Sequence, residues 1–480
     1  MLLSNSLVLL ALFLLIRLIP ELRWRKRALL VLSVLAVFYF QPAVPIRNFD
    51  FWFPLITIAL TLICWGVCCR DRSLPFQSHL PDLVLIFFVV LMVALTRLVS
   101  YKGILTASRP PLLSQSLPVL LVLAALTASV SLASRESSQR PLARALTILI
   151  LALLAALKTP FAAQQLSAVL RGVSGQSADL AAAADLRWLG FSYIAFRLLS
   201  VSIDAGKGRK LTLNAGDFLT YVCFPSTLSA GPIDRADRFC KELNRESQLD
   251  TGVMAVGLQR IGQGLFKKFI LADTLTMITL SAGNFDQFRS AGWAWLALCA
   301  FSFQLYFDFS GYSDIAIGLA KILEISLPEN FNHPYRKPDI AKFWSSWHMT
   351  LTQWIRSYVF NPLTRRLRMK KNPPLPQWLI ILCAQFVTMG LIGLWHGVTP
   401  NYLIWGLWNG FGLFIHQLYA DRTKNRLSML QEKQPLLFSL YSGFSILLTF
   451  VFVSLGWIWF VLPQPADALR FLSILFGGAS

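Results

Sequence analysis

Charge is scarce in this chain. Asp, Glu, Lys and Arg make up 14% of its 480 residues, against 55% hydrophobic residues, where a soluble domain carries about 25% charged residues. With a mean hydropathy of +0.56, this excludes a string of soluble domains and assigns the length to membrane spans. Acids are the scarcer sign, 24 against 44 basic residues, a net charge of +20. Loops that basic suit a cytoplasmic face against anionic lipid. They also suit an acidic partner, such as a carrier protein or a phosphorylated cofactor. Nucleic acid is disfavoured, because the basic residues are scattered beside the spans and no binding motif accompanies them. Cysteine is sparse and has no CxxC spacing: Cys64, Cys68 and Cys69 share one apolar run, and Cys223, Cys240, Cys299 and Cys383 stand alone. Zinc and disulfide exchange therefore have no support. No GxSxG motif occurs, and no internal repeat, so a covalent serine enzyme and a paired-repeat transporter both lack their signatures.

What is present is a set of long apolar runs. The first covers residues 2–20 and is followed by Arg23, Arg25, Lys26 and Arg27. That order is the reverse of a cleaved signal peptide and predicts an uncleaved anchor with its N-terminus outside. Further spans are expected at 28–46, 51–69, 82–99, 117–134 and 143–160. Arg70, Arg72, Arg135, Arg140 and Arg144 fall inside, and the basic loop 97–110 falls outside, against the charge rule. Residues 161–186 read as an outer loop with a surface helix. A span at 187–203 is followed by KGRK, 207–210, inside. The segment 216–234 carries two prolines and two glycines in a moderately apolar stretch. It is expected as a re-entrant hairpin, which keeps the flanking basic runs inside.

Spans at 252–282 and 291–325 follow, the second with Asp308 and Asp314 on different helix faces. Acids at that depth need partners, and structural ion-pairing is the leading role for them. Residues 326–376 form a long inner segment, extended at first by its prolines. From Ile340 a helix is expected, with Asp339 as N-cap and with Trp344, His348 and Thr352 on one face. Pro362 ends it. The tail Arg365, Arg366, Arg368, Lys370 and Lys371 is cytoplasmic. Spans at 378–396, 402–419 and 436–462 complete about twelve, plus two embedded elements. The chain divides into a transmembrane annex, 1–160, a boundary loop, 161–186, and a core, 187–480.

Two of the five histidines stand out, His348 in FWSSWHMTLTQW and His396 in GLWHG, each preceded by a tryptophan, Trp347 and Trp395. His396 closes an apolar run of about 18 residues, the length of a bilayer span. An ionisable group there is costly and has a task, and histidine moves protons near neutral pH. Three roles are open. His396 serves as a general base on an acceptor hydroxyl, with His348 orienting it or stabilising an oxyanion. The pair binds metal, for which the other histidines, His79, His333 and His416, are badly placed. Or both are satisfied core residues.

Several blocks then decide between these: FPSTLSAGPIDR, QRIGQGLFKKFILAD, YFDFSGYSDIAIGLAKILEISLPENFNHPY, FWSSWHMTLTQWIRSYVF and GLWHGVTPNYLIWGLWNG. In this order, from Leu189 to Asp421, they resemble the membrane-bound O-acyltransferase family in its bacterial polysaccharide-modifying branch. The resemblance implies an all-α polytopic fold wrapped around a transmembrane tunnel. It implies an acyl thioester donor, acyl-CoA or an acyl carrier protein, as co-substrate from the cytoplasm, with no bound cofactor and no metal. It implies an extracytoplasmic polymer hydroxyl, or a partner acyltransferase outside, as acceptor. His396 and His348 match the family's two catalytic positions. Trp395 and Trp347 wall the site, and Asn409 and Asp308 shape the tunnel. GPIDR with Phe239 resembles the teichoic-acid D-alanyl transferase, and FNHPY with the FW..WHMTLTQW helix resembles the alginate and peptidoglycan O-acetyltransferases. Ser357 stands where both branches usually have Asp. The reading is an acetyl or D-alanyl transferase of the cell membrane. A transporter or flippase, or an inactive acyltransferase-like scaffold, are the rivals.

Overall fold

The computed structural model describes residues 3–71, 73–99, 103–133, 136–209, 211–246, 250–369 and 375–478. Arg72, Lys102, Arg135, Lys210, Lys370 and Lys371, to which the sequence gives loop charge, lie outside them. The protein is all-helical, and among the described residues no strand forms. In chain order the helices are α1 (Leu3–Arg17), α2 (Leu22–Tyr39), α3 (Phe49–Cys68), α4 (Leu80–Val99), α5 (Leu113–Ala133) and α6 (Glu136–Lys158). Then come α7 (Pro160–Val173), α8 (Phe191–Gly206), α9 (Ala215–Val222), α10 (Ala236–Leu243), α11 (Thr251–Phe266), α12 (Asp273–Leu275) and α13 (Ala291–Ile322). Last are α14 (Ile340–Trp344), α15 (Met349–Ile355), α16 (Asn361–Met369), α17 (Gln377–His396), α18 (Pro400–Lys433), α19 (Pro435–Val461) and α20 (Pro465–Leu475).

Among the described residues six helical segments are long and apolar enough to cross a bilayer: α3, α4 with the turn before it, α5, α6, α17 and α19. The other expected spans fall on α1, α2, α8, α11, α13 and α18. Local signals set many boundaries. Prolines open α7, α18, α19 and α20 at their first turn, where a missing N–H costs nothing. Thr399 caps α18 through its hydroxyl.

The chain forms two compact units. The first holds residues 1–262 and 314–328. Its segment 216–234 is not one helix. α9 ends at Val222, a 3₁₀ turn follows at Pro225–Thr227, and the rest is irregular. Eight helical residues rise only about 12 Å, so α9 does not span. Broken backbone at depth needs donors for its carbonyls, and Arg197 supplies them. Its guanidinium, 1% exposed, donates to Val222 O at 2.7 Å and Thr227 O at 2.6 Å. Other buried charges in this unit are also matched. Arg171 donates to Asp185 at 2.9 Å, Lys26 lies 2.8 Å from Asp217, Arg260 donates to Asp314 at 3.0 Å, and Arg17 pairs with Glu324.

The second unit holds residues 263–313 and 329–480. Its centre is aromatic. Trp347, Trp405 and Trp457 are all buried, and Trp405 stacks on Trp457 with centroids 5.7 Å apart. α17 and α18 pack as a close hairpin. A Cβ added to Gly393 would lie 2.1 Å from Tyr402 O, and one on Gly406 2.4 Å from Met389 O. Only glycine permits that approach.

Candidate active site

The site starts from a strap. Residues 325–330 carry no helix, with Pro328 favouring extended backbone before it, and the strap ends at His333, which is left-handed, φ 44, against the extended form its proline favours; its backbone groups therefore need partners outside a helix. They find them in residues 346–349. Asn332 N donates to Ser346 O at 3.0 Å, and Met349 N donates to Asn330 O at 2.9 Å. Phe331 and Trp347 form an isolated antiparallel bridge.

This pairing breaks the helix that the sequence predicts from Ile340 onward. Asp339 does cap α14, accepting from Lys342 N at 2.7 Å. But α14 stops at Trp344, and α15 begins only at Met349. Between them His348 takes the left-handed conformation, φ 43 and ψ 53. Trp344 and Thr352 therefore do not share one continuous helical face with His348. The helical periodicity of the tryptophans lost to strap pairing. Left-handed backbone in a residue with a Cβ costs on the order of 1 kcal/mol, and such strain gathers at functional sites. Pro362 does not end the segment either. The backbone is π-helical over Arg356–Phe360 and resumes as α16, with Pro362 in its first turn, where proline is tolerated.

His348 is buried. Its Nδ1 lies 3.1 Å from Asn330 Oδ1. The Phe309 ring meets it edge-on at 4.8 Å, and the Trp395 ring lies 6.5 Å away. Burial in these apolar surroundings lowers its pKa, which favours the neutral imidazole.

His396 ends α17 and is half-buried. Its ring lies 4.5 Å from Trp395, 4.8 Å from Phe460, 5.4 Å from Trp405 and 5.9 Å from Tyr402. Thus the Trp395 ring is a neighbour of both imidazoles. Trp347 sits further along the same wall, 5.3 Å from Trp457. Trp457 in turn stacks on Trp405 beside His396. The four residues Trp347, Trp457, Trp405 and His396 form one continuous aromatic row.

Asn409 does not meet either histidine through its hydrogen bonds. Its Oδ1 accepts from Trp344 Nε1 at 3.2 Å, and its Nδ2 donates to Trp405 O at 2.8 Å. It braces the wall from behind. Asp308 pairs with Lys268, and its side chain is 47% exposed. Asp314 pairs with Arg260. Both acids thus have the cationic partners expected at that depth. Of the other histidines, His79 packs on Trp65, His333 starts a 3₁₀ turn, and His416 lies 3.6 Å from Asp339. Asn330, Tyr402, Trp405 and Phe460 join the site without having been singled out in the sequence. The aromatic ones follow His396 in GLWHGVTPNYLIW or lie far downstream, and Asn330 is one polar residue in a polar strap.

A model of the membrane-bound O-acyltransferase family matches residues 142–457, which hold both histidines and nearly all of their surroundings. The chain belongs to this family. The match is wider than the blocks from Leu189 to Asp421 that carried the resemblance. Among relatives, a probable alginate O-acetylase of Pseudomonas syringae pv. tomato is 36% identical over 277 residues, 57% of this chain and 48% of that protein. A peptidoglycan O-acetyltransferase of Helicobacter pylori is 33% identical over 266 residues, 54% of this chain and 46% of the other. A teichoic acid D-alanyltransferase of Streptococcus thermophilus is 32% identical over 254 residues, 50% of this chain and 59% of the other. The chain therefore spans about half the length of the curated relatives it matches. Membership makes the protein a membrane protein of an acyltransferase family.

Proposed function

We propose that this protein is an O-acyltransferase of the cell membrane. It moves acetyl or D-alanyl from a cytoplasmic thioester to a hydroxyl of an extracytoplasmic glycan or teichoic-type polymer. The observation that carries the proposal is that His348 and His396 both neighbour the Trp395 ring, in a chain of this family. His396 takes the proton of the acceptor hydroxyl while that oxygen bonds to the thioester carbonyl carbon. The tetrahedral oxyanion collapses, the carbon–sulfur bond breaks, and the proton held by His396 passes to the departing sulfur. His348 is the partner that positions the reactants. The aromatic row excludes water, which would otherwise take the acyl group. The exposed Arg365, Arg366 and Arg368 of α16, with Arg422, Lys424 and Arg426 of α18, suit an acidic donor such as acyl-CoA or a carrier protein.

The test is His396→Ala in the full-length protein, reconstituted with a labelled acyl donor and polymer. The ring is half-buried and packs on aromatic side chains, so the variant is expected to fold. Transfer falls on the order of 10²- to 10⁴-fold, the contribution of a general base. Polymer acylation at the wild-type rate in that variant refutes the assignment.

A further inference from the structure

The wall around the site is aromatic, but one amide breaks it. Asn330 is fully buried, and its side chain faces His348 rather than the backbone it belongs to. Its main chain joins the strap pairing through Met349 N to Asn330 O. The carboxamide makes a separate set of contacts, to Thr350, Ser313 and the His348 ring.

The orientation of that amide is fixed. The backbone N–H of Thr350 points at Asn330 Oδ1 at 3.4 Å, and a backbone N–H can only donate. The atom it meets must therefore be the carbonyl oxygen. The hydroxyl of Thr350 donates to the same oxygen at 2.9 Å, and Nδ2 donates to Ser313 Oγ at 3.2 Å. His348 Nδ1, at 3.1 Å from that oxygen, must then carry a hydrogen. In a neutral ring this leaves the lone pair on Nε2.

We propose that Asn330 is a positioning residue of the acyl-transfer site, which fixes His348 as its Nδ1–H tautomer and so makes Nε2 a hydrogen-bond acceptor for substrate. This rests on the catalytic reading of His348 above and sharpens it. A neutral Nε2 lone pair accepts from an O–H or N–H of the substrate and has no proton to give to an oxyanion. Of the two supporting roles open to His348, orientation remains and oxyanion donation is removed. The named neighbours of the ring, Asn330, Thr350, Phe309 and Trp395, carry no charge that competes with this assignment. The left-handed turn at His348 fits the same purpose. It directs the ring at the strap instead of along a helix face.

The test has three arms, all on the full-length protein. The first is ¹⁵N NMR of histidine-labelled wild type, with the His348 signals assigned from their loss in His348→Gln. A proton on Nδ1 and a bare Nε2 are expected, and a proton on Nε2 overturns the proposal. The second arm compares Asn330→Ala with Asn330→Asp. Removing the acceptor lowers kcat roughly tenfold to hundredfold, the usual effect of losing an orienting partner, with KM little changed. Asn330→Asp keeps the acceptor, so at alkaline pH it recovers most of that loss. Its carboxylate raises the imidazole pKa, so its activity falls on the acid side at a higher pH than wild type. A purely structural Asn330 instead gives two variants equally impaired, in step with their thermal stability and with unchanged pH profiles, and that outcome overturns the proposal. The third arm is His348→Ala. If it is inactive while both Asn330 variants match wild type, this inference alone fails. If His348→Ala is fully active, the catalytic reading of His348 fails with it.

Discussion

The two units treat buried polarity differently. In residues 1–262 with 314–328, each buried charge described above meets an opposite charge or a set of carbonyls: Arg171 with Asp185, Arg260 with Asp314, Arg197 with Val222 and Thr227. In residues 263–313 with 329–480, His348 is as deeply buried, and it meets the neutral amide of Asn330 and the rings of Phe309 and Trp395. A paired charge has its electrostatic potential already used, and its removal is felt as stability. A neutral imidazole in an apolar wall keeps its capacity to accept a hydrogen bond. The first arrangement holds helices in place, and the second suits chemistry.

The largest effect that separates the two is expected at Arg171. Both it and Asp185 are about 5% exposed, and Asp185 also accepts from Ser167 Oγ at 2.7 Å. Arg171→Leu leaves a buried carboxylate without its cation, a loss of about 3–5 kcal/mol. Thermal unfolding in detergent reads this directly. The rate per folded molecule is expected to stay at the wild-type value, and a matching loss of rate breaks the comparison. The pH dependence has a definite sign. Burial alone would raise the Asp185 carboxyl, but the hydrogen bonds from Arg171, Ser167 and the Ala182 amide outweigh it and hold it below its ordinary value. Its stabilisation is therefore complete above the unfolded pKa of about 4 and is lost as pH falls through the folded value. Arg171→Leu is expected to flatten that acid limb.

How much of this was legible in the sequence follows from the range of the interactions. The all-helical membrane class came from composition and apolar runs, which are local. The Asp339 cap and the failure of 216–234 to form one helix were legible for the same reason. The break at His348 was not. It is decided by the strap at 330–332, which lies 16 to 18 residues earlier in the chain and competes with a strong local helix pattern. Asn330 was invisible for the same cause, since its partners Ser313, His348 and Thr350 come from two other segments. The π-helical turns at Lys267–Ala272 and Arg356–Phe360 carry no recognisable local signature. The second of them contains Ser357, the position where the sequence departs from its relatives' usual Asp. There Arg356 and Ser357 both face outward.

An intermediate effect is expected at Phe460. Its ring meets His396 edge-on at 4.8 Å and Trp405 at 5.4 Å. Phe460→Leu keeps the wall apolar and removes the aromatic edges. Such pairs contribute about 0.5–1.5 kcal/mol each. If the contact to His396 holds the base in line, the loss appears as a two- to tenfold fall in kcat. The melting temperature is then little changed. A fall in stability with kcat intact would put Phe460 in the same class as Arg171.

The smallest effect is expected at Asp308, and it bears most directly on the comparison. The sequence suggests that this acid shapes the path of the substrate. Its side chain is half exposed and pairs with Lys268, in the manner of the ion pairs of the other unit. A pair that open to its surroundings is worth at most about 1 kcal/mol. Asp308→Asn keeps the shape and removes the charge. If the pair only braces the π-helical turn around Lys268, turnover stays within about threefold of wild type, and the variant melts within a few degrees of it. Its neighbour Phe309, which touches His348, keeps its place in either case, so a change in rate cannot be blamed on a displaced ring. A loss of turnover beyond a hundredfold, with stability intact, would mean that a charge in this unit acts on substrate. The division between paired charges that hold the fold and neutral rings that do the chemistry would then fail at the residue one position before the imidazole's own neighbour.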